Sequence, residues 1–492
     1  MFSEFYDRKF LFKCLVWFGI TFGLMKATGG AGFAIVIPMV FYALIARKTE
    51  TLLFWLLVAV CALIINPNLV SKGGGFAWMQ RGLMLVLGGV MAVNVMAYPM
   101  HHAIRPFSGM IAYVLFMAFS SAQGWCPAIS YLKLLLFTLI YFSYLGVANQ
   151  VGINPRVSSR KIRSVMLSIA VLFVLGSVAL LPFPGLTQMK GEEYLAAVAA
   201  GYDMSSLYIG MANHSQSLGP VVSCISVILF ADLLFSIKKN DKLYLIMLLA
   251  CPYLVYRTSS RTGMGAYLLG MMFVVYVFVN ARGISHKWKS RVFSFVMFVS
   301  AAFVFAVLCL PSAQEKAKEF ITKTRLSETG SVSMSQVVST RQGLMDRALY
   351  NFHKKPLLGN GFQVNEEMKG MKIKGSSSML SAPIEKGVWV TAVLEEGGIF
   401  GWVIFVAFLF VCITTSIKRR AYMGASCLFV LTLTNLGEFT FFSMSYTGGI
   451  TWALVFVGLA LDVRKMEDEN AMIREQIEFE ELQLAIAEGN VE

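Results

Sequence analysis

Two arginines in the segment YRTSSRTG, Arg257 and Arg261, have the chemistry to hold a phosphate. A guanidinium is planar, permanently charged and able to form paired hydrogen bonds to phosphate oxygens. Both residues sit in a short connection between apolar runs, where charge beside a bilayer is costly and marks function; the alternative is snorkelling to lipid headgroups. Two further arginines, Arg341 and Arg347, lie in STRQGLMDRALYNFHKKPLLGNGF. The spacing predicts a helix over 336–353 whose apolar stripe is Val337, Leu344, Ala348 and Phe352. Arg341 falls on that stripe and Arg347 is turned away from it. An arginine on a packing face is costly unless paired, so Arg341 is the stronger candidate for an anion contact. Pro356 should end the helix and the 359–361 turn redirect the chain.

The carboxylate candidates are Glu385 and Glu438. Glu385, followed by Lys386 and the apolar stretch 388–394, reads either as a general base with Lys386 tuning it or holding an anion, or as a helix-capping acid. Glu438, close to Asn435, reads as the structural partner of an outer arginine or as a catalytic acid. Lys133 is expected to snorkel. A loop over 183–216 carries Tyr202 and His214 among other aromatics and hydroxyls, which suit either sugar stacking or interfacial anchoring. Only His214 and His353 of five histidines fall on the outer side, and the outer loops contain no Asp-x-Asp pair, so metal-independent chemistry is expected. The eight cysteines show no CxxC spacing and lie mostly in apolar runs, as core filling does.

These residues must be positioned by membrane helices. Of 492 residues 57% are apolar and 14% charged, which excludes an ordinary soluble chain. Uncharged runs from 10–24 to 447–461 predict an all-α polytopic membrane protein of about 14 transmembrane helices (12–14) with one large, partly helical outer loop. Six basic clusters, from Arg47–Lys48 to Arg464–Lys465, fall on one side of a fourteen-helix count. They predict cytoplasmic termini and an outer large loop. The expected units are helices 1–11 over 1–310, the large loop over 311–398, helices 12–14 over 399–462 and an acidic tail over 463–492. The tail holds nine acids against three bases, leaving about +20 on the rest of a chain of net charge +14. Within it Met466, Ile473, Ile477 and Leu484 recur at heptad-like spacing, which suits a partner helix or a solvated amphipathic one.

The order of NHSQSLG, SRTG, TRQGL, PLLGNGF and LEEGGIFG resembles the O-antigen polymerase and ligase superfamily of bacterial inner-membrane glycosyltransferases. The resemblance covers about 202–442. It implies an undecaprenyl-pyrophosphate-linked oligosaccharide as donor and acceptor, transfer on the periplasmic side, and no cofactor. By position, Arg261 and Arg341 would hold the pyrophosphate; Arg257, Arg347, Lys386, His214, Tyr202 and Glu438 are the further substrate-binding candidates and Glu385 the candidate base. Ligases of this superfamily carry a His-Asn pair where this chain has Gly387-Val388, so the resemblance points to the polymerase branch, which makes O-antigen or exopolysaccharide. The alternatives are a ligase transferring glycan to lipid or protein, and a lipid-linked oligosaccharide flippase. The expected partners are the bilayer, the lipid-linked glycans and a chain-length regulator at the tail, with no role for nucleic acid.

Overall fold

The computed structural model describes residues 6–73, 75–93, 98–154, 156–187, 208–235, 241–281, 284–309, 334–368 and 386–487. Helices of ten or more residues are α1 (Arg8–Thr28), α2 (Val36–Ile45), α3 (Thr49–Ile64), α4 (Phe76–Val93), α5 (Met110–Ala122), α6 (Pro127–Ile153) and α7 (Ser159–Leu180, with a π turn over Val171–Leu175). They continue as α8 (Ser215–Phe235), α9 (Lys242–Arg257), α10 (Arg261–Asn280), α11 (His286–Cys309), α12 (Met334–Lys354), α13 (Trp389–Lys418), α14 (Tyr422–Thr434) and α15 (Thr447–Ala487). Among the described residues there is no strand, only an isolated antiparallel bridge between Ile65 and Ala212. The chain is an all-α membrane protein. Eight stretches are long and apolar enough to cross a bilayer, with Arg8–Ile45 counted as one. Several of the other expected runs form shorter helices, such as α3, α5 and α14.

Burial explains why some helices are apolar on every side. From Leu52 to Ile64 every residue of α3 is buried, and α15 is buried from Thr447 to Val463, so neighbouring helices cover all their faces. Peripheral helices instead expose large apolar side chains, Leu249, Phe298 and Phe410 among them, as lipid-facing surfaces must. Past Arg464 and Lys465, α15 runs on as one helix to Ala487, with Ile473 and Ile477 exposed.

Side-chain contacts sort the helix ends into two groups. At one end Ser158 donates its N–H to Glu50, Lys465 reaches the Phe235 carbonyl, and Arg163 grips Asp232 through Nε at 2.9 Å and Nη2 at 3.2 Å. At the other end Asn66 donates to the carbonyls of Leu186 and Gly210, and Asn213 pairs with the Ile64 carbonyl and the Tyr446 hydroxyl. Backbone that leaves a helix inside a bilayer must find such partners, which explains the asparagines. All candidate site residues among those described lie at this second end, called the site end below.

Asp232 is fully buried and also accepts from the Tyr244 hydroxyl at 2.9 Å, so its charge depends on Arg163. Arg163→Ala leaves that carboxylate uncompensated and should cost about 3–5 kcal/mol. Thermal unfolding in detergent checks this; an unchanged midpoint would contradict the pairing.

Candidate functional site

Three sequence motifs that are far apart in the chain meet at the site end. After α12, Gly359 (φ +71) and Gly361 (φ +105) turn the PLLGNGF segment onto a kink in α13 at Gly398 (φ +61). At the kink the helix gives up its own hydrogen bonds and exchanges them with the turn. Asn360 and Gly361 donate their N–H groups to the Glu395 and Glu396 carbonyls at 2.9 and 3.0 Å, and Ile399 N–H goes to the Pro356 carbonyl at 2.8 Å. A β-carbon on Gly359 would run into the Glu396 carbonyl, and one on Gly398 into that of Leu357. Only glycine allows this approach at positive φ.

The α5–α6 hairpin closes over the same turn. Ser120 Oγ donates to the Leu358 carbonyl at 2.6 Å, and Ser130 Oγ to those of Phe362 at 2.9 Å and the Ser121 hydroxyl at 2.7 Å. Ser121 accepts the Phe362 N–H. Lys133 does not snorkel: it is buried, and its ammonium donates to the Gln363 carbonyl at 3.0 Å. The expectation failed because the nearest acceptor for this lysine is the turn, 230 residues away, and not the headgroup layer.

Inside this assembly lies a charge cluster. Lys386 Nζ is 3.0 Å from Glu396 Oε1 and 3.3 Å from Glu395 Oε2, with the three residues 4%, 0% and 3% exposed. Asn351 of α12 donates to the other oxygen of Glu395 at 2.9 Å, and Asn360 donates to the Asn351 carbonyl. Burial works against the Lys386 ammonium, but the two carboxylates hold its pKa above the ordinary lysine value. Lys386 is therefore an internal ion-pair partner. Glu385, its neighbour in sequence, lies outside the described residues, as does Tyr202.

The arginine turn is built separately. α9 ends at Arg257, Ser259 takes φ +50, and Ser260 caps α10 by accepting the Gly263 N–H at 3.1 Å. Gly219 of α8 packs on Ser260, and Ser223 Oγ donates to the Gly263 carbonyl, so α8 and α10 run parallel with their N-termini side by side. Arg261 opens α10 and is partly exposed; Arg257 is exposed, its guanidinium 5.8 Å from the Tyr208 ring centre. Burial raises the Tyr208 phenol to about 12, so it stays a neutral ring beneath that cation. His214 Nδ1 accepts the Gln216 N–H at 3.0 Å, at the start of α8. Gly437 packs against Thr262, which sets Glu438 and Arg261 on adjoining turns.

One backbone bond links the two parts. Trp389 N–H, three residues after Lys386, donates to the Asn435 carbonyl at 3.0 Å, and Asn435 Oδ1 accepts the N–H groups of Thr440 and Phe441. Arg341 lies in the backbone of α12; six residues on, Arg347 is exposed while Ala348 is buried, as the helical spacing required. Sequence reasoning missed Ser120, Ser130, Asn351, Asn360, Glu395 and Glu396. Two adjacent acids entering an apolar run were the available signal, since membrane burial of a carboxylate is expensive.

No protein-family model matches the chain, and no characterised protein does. Among the described residues no group of three His, Cys, Asp or Glu is placed to hold a metal.

Gly359→Ala places a methyl group against the Glu396 carbonyl at a φ that alanine resists, and should cost about 1–3 kcal/mol. A thermal midpoint equal to wild type in detergent would show that the turn does not dock this way.

Proposed function

We propose that the protein is a bacterial inner-membrane glycosyltransferase that polymerises undecaprenyl-pyrophosphate-linked oligosaccharide repeats. On this account fourteen helices cross the membrane, both termini are cytoplasmic, and the site end and large loop face the periplasm. The observation that carries the proposal is the arginine turn: Arg261 opens a helix whose N-terminus lies beside that of α8, with Arg257 exposed next to it. Parallel helix N-termini and guanidinium groups both favour phosphate oxygens.

The chemistry is a displacement at the anomeric carbon of the donor sugar. An acceptor sugar hydroxyl forms the new C–O bond while the bond from that carbon to the pyrophosphate oxygen breaks. The leaving pyrophosphate takes the electron pair, and Arg261 and Arg341 stabilise its developing charge. Glu385 takes the hydroxyl proton. Arg257, exposed at the end of α9, and Arg347, exposed on α12, bind the anion in support, while His214, Tyr202 and Glu438 bind sugar and order the turns around Arg261. The polyprenyl chain lies against the lipid-facing helices, so the reaction needs no soluble cofactor.

Arg261→Ala and Arg341→Ala should each reduce polymer formation by roughly 10²–10³-fold, the usual loss when one preorganised charge contact is removed. Gel analysis of polysaccharide from cells carrying each variant, with membrane insertion confirmed by fractionation, checks this. Polymer of full length and amount from either variant would overturn the assignment.

A further inference from the structure

The buried charges raise a question that their contribution to stability does not answer. Setting one ammonium and two carboxylates in a buried interior is expensive, and apolar side chains of similar volume often close such a space at equal or better stability. A buried ion pair does, however, fix register, because each charge is tolerated only where its partner stands. Here the cluster fixes three segments at once. Lys386 lies at the entry to α13, Glu395 and Glu396 at the kink, and Asn351 ties the end of α12 to Glu395.

The position of the entry segment passes to the arginine turn through short steps. Gly387 (φ +73) reverses the chain, Trp389 N–H then bonds the Asn435 carbonyl, and Gly437 in the following turn packs on Thr262 beside Arg261. We infer that Lys386, Glu395 and Glu396 are positioning residues: their ion pairs set the 435–438 turn, and with it Arg261, in the geometry that transfer requires. All three are buried and face one another. This role rests on the polymerase proposal above.

Glu396→Gln is the decisive variant, because it keeps the side-chain shape and leaves Lys386 balanced by Glu395 alone. Purified variants are assayed with an undecaprenyl-pyrophosphate oligosaccharide as substrate, measuring kcat, KM and thermal midpoint. The expected result for Glu396→Gln is an unchanged or higher midpoint, a KM within about threefold of wild type and a kcat lower by about 100-fold, as sub-ångström to ångström misplacement of a catalytic group produces. Lys386→Met should lose kcat likewise, and Lys386→Arg, which keeps the charge, should recover most of it.

Wild-type kcat in Glu396→Gln, or a Lys386→Arg variant as slow as Lys386→Met, overturns the positioning role. If Lys386→Met fails to fold, Glu396→Gln and Lys386→Arg decide the matter alone. Full kcat in Glu396→Gln together with inactive Arg261→Ala removes the positioning role and leaves the polymerase proposal standing. No product from wild type removes both.

Discussion

One ammonium held between two carboxylates, with none of the three open to solvent, organises the site end of this protein. Lys386 attracts both Glu395 and Glu396 strongly in a medium of low dielectric, and each charge would be intolerable there alone. Such a cluster forces the entry to α13, its kink and the turn after α12 into one arrangement. The hydrogen bonds around it follow from that constraint. A helix kinked at Gly398 leaves carbonyls that need donors, and the PLLGNGF turn supplies them while handing its own Pro356 carbonyl to Ile399. The α5–α6 hairpin completes the arrangement with serine hydroxyls, small enough to approach the backbone closely.

A bilayer explains why the backbone groups at the kink find such partners. Water is not there to satisfy a carbonyl released by a kink, so every departure from helix must be matched by another segment. The same logic operates at the opposite end, where Arg163 and Tyr244 both donate to the buried Asp232. It also explains the polar residues just past helix ends: Asn66 after α3 and Asn435 after α14 each bond backbone groups at a chain reversal.

Much of the architecture was legible in the sequence because it depends on local properties. Apolar runs marked the helices, Pro356 and the 359–361 glycines marked the turn, and helical spacing placed Arg347 outward and Ala348 inward. The short helices blurred the span count, since α5 and α14 hold 13 residues each and reach their length limit at glycines and turns. The charge cluster was not legible. Glu395 and Glu396 were visible as part of a motif, yet their pairing with Lys386 depends on the backbone reversal at Gly387, which folds the lysine back along the start of α13. Lys133 was misread for the same reason, its partner being fixed only by tertiary folding. The arginine turn stands between these cases: Arg261 was conspicuous as a charge in the wrong place, whereas the side-by-side helix N-termini required the packing of Gly219 on Ser260.

Joined through the bond from Trp389 to Asn435, the buried cluster and the arginine turn form one unit in which rigidity is supplied at the kink and charge is presented at the turn. On the polymerase proposal, the first provides geometry and the second receives the departing pyrophosphate. The most direct measurement is incubation of the purified protein in lipid nanodiscs with an undecaprenyl-pyrophosphate oligosaccharide, followed by gel separation of the products. A ladder spaced by one repeat unit is the predicted result; unchanged substrate, or transfer of a single unit to another acceptor, would contradict it.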